Sequence, residues 1–278
     1  MRGKYLIIVV LIALIILLVL MFKTLSSGGG SYYWNFFIFT LIGFVAQMID
    51  GAIGMTYGVF SNSFLLSMGV PPALASASIH TAEVFTTLAS GVSHLKLGNV
   101  DKKIFRNLII PGVIGGCLGA YVLSSAPVSY MKIIVNIYLL IIGAVITIKA
   151  IRFTFSGKPS FKGIGLLGGL GGFLDAVGGG GWGPIVTSTL IARNHNPKLV
   201  IGSVNIAEFF VTIIESVTFF MALGMVDWKI ILGLVLGGLI AAPFAAYVCK
   251  KLPSRLLMAL VGILLMFLTL RNVGILRL

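Results

Sequence analysis

The chain has 278 residues, of which 58% are apolar and 10% charged, and its mean hydropathy is +1.11. Soluble domains carry roughly a quarter charged residues, so this composition excludes a soluble enzyme. The 20 Lys and Arg against 7 Asp and Glu give +13, but they stand between apolar stretches, where they orient a membrane chain against an anionic leaflet; no nucleic-acid partner is expected. Cutting at the charge clusters leaves apolar runs of roughly 17 to 25 residues, the length that crosses a hydrocarbon layer about 30 Å thick. The expected fold class is an all-α polytopic membrane protein.

In chain order, the first run is Tyr5 to Phe22, behind Arg2 and Lys4. It exceeds the h-region of a secretory signal and no A-x-A-like site follows it, so it reads as an uncleaved helix. Residues Ser26 to Ser31 form a Gly/Ser link, so 1–34 is set apart from the main body. Spanning helices are expected at about 74–95, 107–125, 131–149, 199–222, 230–248 and 255–270. Two stretches, 36–69 and 163–192, differ: each is about 30 residues long and broken centrally by glycines. A straight helix of that length would measure about 45 Å, too long for one crossing and too short for two. Each is expected to be a re-entrant V of two short helices. With both Vs returning to their side of entry and the amino terminus inside, the loops holding Lys96, Lys102, Lys103, Arg106, Lys158, Lys162, Arg193, Lys198, Lys250 and Arg255 all face the cytoplasm, as the positive-inside rule requires. Cys117 and Cys249 lie in apolar runs without metal-type spacing and read as packing residues.

Laying residues 43–87 on 168–212, at an offset of 125, gives thirteen identities in 45 positions without a gap. Asp50 pairs with Asp175, Gly54 with Gly179, Gly58 with Gly183, Pro72 with Pro197 and Glu83 with Glu208. At offset 126 the match resumes with Gly98 and Gly224, Asp101 and Asp227, and Pro127 and Pro253; of the seven acids only Glu215 has no mate. Two repeats follow, 35–150 and 160–271, each a V plus three spanning helices. That is an odd number of crossings, so the second copy is inverted relative to the first, an arrangement typical of secondary transporters with a midplane site between discontinuous helices.

The V tips carry the strongest local chemistry. Gly54, Met55, Thr56, Tyr57 and Gly58 in the first, and Gly179, Gly180, Gly181, Trp182 and Gly183 in the second, let backbone N–H groups converge where the next helix begins, a setting that suits an anion. Close helix packing is the alternative use of such glycines. Pro184 suits a first helical turn. Glu83 and Glu208 fall near the bilayer centre, with His80 and Asn205 one turn before them; each pair is read as a substrate contact (His80, Asn205) and a proton-coupling or gating acid (Glu83, Glu208), against a hydrogen-bonded structural pair. Asp50 and Asp175 precede the glycines and either cap N–H groups there or join the gating acids. Asp101 and Asp227 read as helix caps, and Arg193 and His195 as loop charges or an anion lure.

The tip Leu174 to Pro184, followed by Asn196-Pro197 and a polar helix, resembles the sulfite exporter TauE/SafE family. So does Val70-Pro71-Pro72-Ala73 followed by Ser76 to Glu83, and the resemblance spans about 36–270. It implies outward movement of small sulfur-containing anions such as sulfite or an organosulfonate across the plasma membrane of a prokaryote. No enzyme activity or cofactor is expected, and no metal, since His80 and Glu83 have no third ligand at metal spacing. Met55-Thr56-Tyr57 departs from the family's usual glycine run. The partners implied are a small anionic substrate and the bilayer, with a homodimer left open. Other readings are proton-coupled anion uptake, a cation transporter using the midplane acids, and an intramembrane aspartyl enzyme built on Asp50 and Asp175, although the Gly-x-Gly-Asp sequence of such enzymes is absent.

Overall fold

In the computed structural model, residues 32–53, 55–152, 159–224, 226–249 and 254–273 are described, and they are helical with no strand among them. The expected helix at 5–22 and its link lie outside these residues, as does Gly54. The first stretch is α1 (Tyr32–Ile53) and α2 (Tyr57–Ser67), followed by α3 (Pro72–Lys96), α4 (Lys102–Ser125) and α5 (Val128–Arg152). The second is α6 (Ile164–Gly178), a π-helical turn at Gly183–Thr187 running into α7 (Ser188–Ala192), then α8 (Pro197–Leu223), α9 (Trp228–Cys249) and α10 (Ser254–Asn272). Each of the six expected spanning segments is thus a helix, and both long stretches break where the glycines fall. Among the described residues, three helices are long and apolar enough to cross a membrane: Lys102–Ser125, Val128–Ile151 and Lys198–Leu223.

Local chemistry sets the helix ends. Asp101 accepts from the N–H groups of Lys103 (2.7 Å) and Ile104 (3.2 Å), and Asp227 from that of Lys229 (2.9 Å), so both are the caps expected. Pro72 and Pro197 open α3 and α8, where a missing N–H costs nothing.

The burial pattern is that of a protein in lipid. Ile110, Leu118, Ile133, Ile141 and Ile148 on α4 and α5 are exposed, while His80, Glu83, Asp175 and Glu215 are buried. A soluble protein shows the reverse.

Helix pairing runs between the two halves. α1 packs along α9 and α4 along α6; α3 packs along α8 and α5 along α10; α4 also meets α8, as α9 meets α3. Glycine makes the closest of these approaches possible. A Cβ at Gly115 would stand 2.0 Å from the Gly169 carbonyl oxygen, and one at Gly172 would be 2.2 Å from that of Gly112. On α9, a Cβ at Gly237 would be 1.9 Å from the Thr40 carbonyl oxygen. Much of the chain's glycine therefore serves interhelical packing, the alternative use weighed for the tips.

The second broken stretch returns to where it began. Ser160 N–H donates to the Arg193 carbonyl (3.3 Å), the Arg193 guanidinium to that of Lys162 (2.7 Å), and His195 Nε2 lies 2.8 Å from the Ser160 carbonyl. Arg193 and His195 thus fasten the mouth of the V, and His195 is buried there. The same face holds the α3–α4 loop: Lys103 sits over the Phe161 ring at 4.1 Å, and Asp101 N–H donates to Ser203 Oγ at 2.7 Å.

Candidate functional site

The two tips cross by backbone contact. A Cβ at Gly58 would lie 2.5 Å from Gly180 Cα, and one at Gly183 would lie 2.4 Å from Met55 Cα. Under the offset of 125 these are the same contact made twice, with Met55 standing where the other tip has Gly180. Gly180 has φ +136°, a backbone state that L side chains rarely adopt, and a Cβ there would meet Val59 N at 2.3 Å.

Each tip is tied down by its aspartate. Asp50 Oδ1 accepts from Thr56 N–H (2.7 Å) and Tyr57 N–H (3.3 Å). Asp175 Oδ1 accepts from Gly181 N–H and from Trp182 N–H (2.8 Å). These four donors are the ones a tip would offer an anion, and the carboxylates already occupy them. The capping job seen for Asp50 and Asp175 follows from the unsatisfied N–H groups at a helix start. The first-turn N–H groups of Gly58 and Gly183 lie one residue further on.

A small cavity lies where the tips cross. Met55, Thr56, Tyr57 and Gly58 line it from the first tip, and Gly180, Gly181 and Gly183 from the second. Glu83, Glu208, Asp50, Asp175 and Asn205 complete the expected set on its wall. Three expected residues stand elsewhere. Trp182 is fully buried, its ring N–H donating to the Val204 carbonyl (3.2 Å) and its ring packed on Gly112 and Gly171. Gly179 packs on Asn62, whose amide donates to the Gly178 carbonyl. His80 turns away from the cavity toward Glu215 and Asp175.

Reading the sequence did not find Gln47, Thr86, Thr87 and Ser90, which also line the cavity. The last three follow Glu83 at i+3, i+4 and i+7, so helical spacing on α3 was the signal available. Thr86 and Thr87 spend their hydroxyl hydrogens on the Glu83 carbonyl (3.4 and 2.5 Å), whereas the buried Thr56 hydroxyl has no partner. A Cβ at Gly58 would come within 3.1 Å of Glu83 Oε1, so the carboxylate reaches the tip. The wall thus combines few free donors with four carboxylates.

The model of the family described as "Sulfite exporter TauE/SafE" matches residues 38–272. The chain belongs to this family. It is also 45% identical over 237 residues, 81% of this chain and 78% of the other, to "Probable membrane transporter protein YtnM" of Bacillus subtilis (strain 168). No solved structure matches. With the apolar exterior and the helices described above, the TauE/SafE chain is a multi-pass membrane protein of a transporter family.

Proposed function

We propose that this TauE/SafE chain is a secondary transporter that exports a small sulfur-containing anion, sulfite or an organosulfonate, across the plasma membrane of a prokaryote. The observation that carries the reading is the cavity at the crossing of two broken helices, one from each half, in a member of a family named for sulfite export. The two halves, 35–150 and 160–271, act as inverted repeats. Support comes from the pairings: exchanging elements 125 or 126 residues apart turns α1 with α9 into α6 with α4, and α4 with α8 into α9 with α3. Such repeats rock about a shared midplane site.

Export needs no further drive for an anion, since an interior-negative potential favours its exit by about 2.3 kcal/mol per charge per 100 mV. The basic loops sharing one face face the cytoplasm, with the amino terminus on that side too.

A second reading has an observation of its own. Asp50, Glu83, Asp175 and Glu208 line one cavity, which favours a cation or proton-coupled transport. A counterflow panel in proteoliposomes with sulfite, thiosulfate, sulfate, sulfoacetate and taurine, run beside sodium and potassium, separates the two. Exchange of at least one sulfur anion well above empty liposomes is expected. Exchange of a cation with none of the anions would replace this reading by the second.

A further inference from the structure

We propose that His80, Glu215 and Asp175 form a buried proton-binding site that closes the half of the pathway opposite the cavity. The gating part rests on the transport reading above; the proton site itself does not.

His80 Nδ1 lies 2.7 Å from the Ser76 carbonyl oxygen, which only accepts, so Nδ1 carries a hydrogen. Nε2 then faces two carboxylates, Glu215 Oε2 at 3.1 Å and Asp175 Oδ2 at 3.6 Å. His80 and Glu215 are fully buried, and Nε2, Oδ2 and both Glu215 oxygens have no hydrogen-bond partner. A bare imidazole lone pair against carboxylate oxygens, with no water to screen them, is repulsive. One proton between Nε2 and Glu215 Oε2 turns that contact into a charge-assisted hydrogen bond. A metal ion would also satisfy these three side chains, so the metal content of the protein is part of the test below.

Position gives the site its role. The repeat mate of His80 is Asn205, and carrying the offset of 125 three positions past the gapless match sets Ser90, which is not an acid, opposite Glu215; both Asn205 and Ser90 line the cavity. Ser90 lies toward the end of α3 that carries the basic loop. Where the cavity has Asn205 and Ser90, the other side of the crossing has His80 joined to Glu215. Asp175 connects the cluster to the tip, because its Oδ1 holds the Gly181 and Trp182 N–H groups while its Oδ2 faces His80. Loss of the shared proton sets a lone pair and two carboxylates against each other and pushes α3, α8 and the α6 tip apart.

The other titratable groups around the crossing are Glu83 on α3, Glu208 on α8, Asp50 on α1, Tyr57 on α2, Tyr138 on α5 and Cys117 on α4. The tyrosines donate to carbonyls, Tyr57 to Leu234 and Tyr138 to Gly180, both at 3.1 Å, and Cys117 meets the Thr218 hydroxyl at 3.6 Å. Lys149, also on α5, is turned to the Ser188 hydroxyl.

The test is nitrogen-15 histidine NMR on the full chain in nanodiscs, with Glu215→Gln as the comparison. Gln keeps the shape and offers Nε2 an amide hydrogen in place of the shared proton. Of the three histidines, only His80 is expected to change: its Nε2 signal moves from that of a protonated or proton-sharing nitrogen to that of an acceptor, while His94 and His195 stay put. An unchanged His80 signal, or a stoichiometric metal found by elemental analysis, would overturn the proposal. Thiosulfate, which does not titrate near neutrality, serves as the probe in proteoliposomes. Wild-type efflux is expected to rise with pH by up to about tenfold per unit, the limit for one proton, and Glu215→Gln to vary less than about twofold. A flat wild-type profile beside a positive NMR result would overturn the gate. No thiosulfate, sulfite or sulfoacetate flux at all, with the NMR result intact, would instead sink the substrate reading.

Discussion

At the scale of single residues, the decisive fact is that Asp50 and Asp175 hold the N–H groups of their own tips. Asparagine retains the accepting oxygen and loses the charge. Asp50→Asn is therefore expected to leave the thermal midpoint in detergent almost unchanged, whereas Asp50→Ala removes the cap and costs about 1 to 2 kcal/mol. Equal losses in the two variants, measured by thermal melting, would show that charge and not capping holds the tip. Both aspartates stood out in the sequence because the repeat duplicates them, but their partners did not, since capping geometry depends on where the broken helix restarts. Trp182 shows the reverse: its place among the tip glycines suggested substrate contact, and in the fold its ring packs against Gly112 and Gly171, glycines outside the tip. Glu215 was visible only as the acid without a mate, and its contact with His80 joins residues 135 apart on different helices.

At the scale of elements, helix positions were legible because charge clusters and glycine breaks punctuate an otherwise uniform apolar sequence. The partners of each helix were not, since lipid-facing and buried positions are equally apolar. Gly115 and Gly119 on α4 present their Cβ positions to Gly169 and Phe173 on α6, while Gly112 and Gly116 present theirs to Trp182 and Glu215, so the small residues of α4 mark two contact faces. Gly115→Val would drive its side chain into the Gly169 carbonyl and is expected to lower stability by about 1 to 3 kcal/mol. Gly165, with nothing closer than 3.5 Å to an added Cβ, is the control: Gly165→Ala should be tolerated, and a loss equal to that of Gly115→Val in the same melting assay would refute the α4–α6 contact.

At the scale of the whole molecule, the sorting of charge by loop anticipated the shared face of the 159–163, 193–195 and 97–101 segments, because the positive-inside rule acts on loops and not on packing. Single cysteines at Lys102 and Lys162 in a background lacking Cys117 and Cys249 should react with an impermeant maleimide only from the cytoplasmic side, and one at Tyr130 only from the outer side. Labelling of all three from one side would remove the topology on which inversion depends. The central claim concerns what crosses at the tips. Its most direct test is efflux of sulfur-35 sulfite from proteoliposomes with the potential clamped by potassium and valinomycin. An interior-negative potential is predicted to speed efflux several-fold over zero potential. Efflux equal to that of protein-free liposomes at every potential would contradict it.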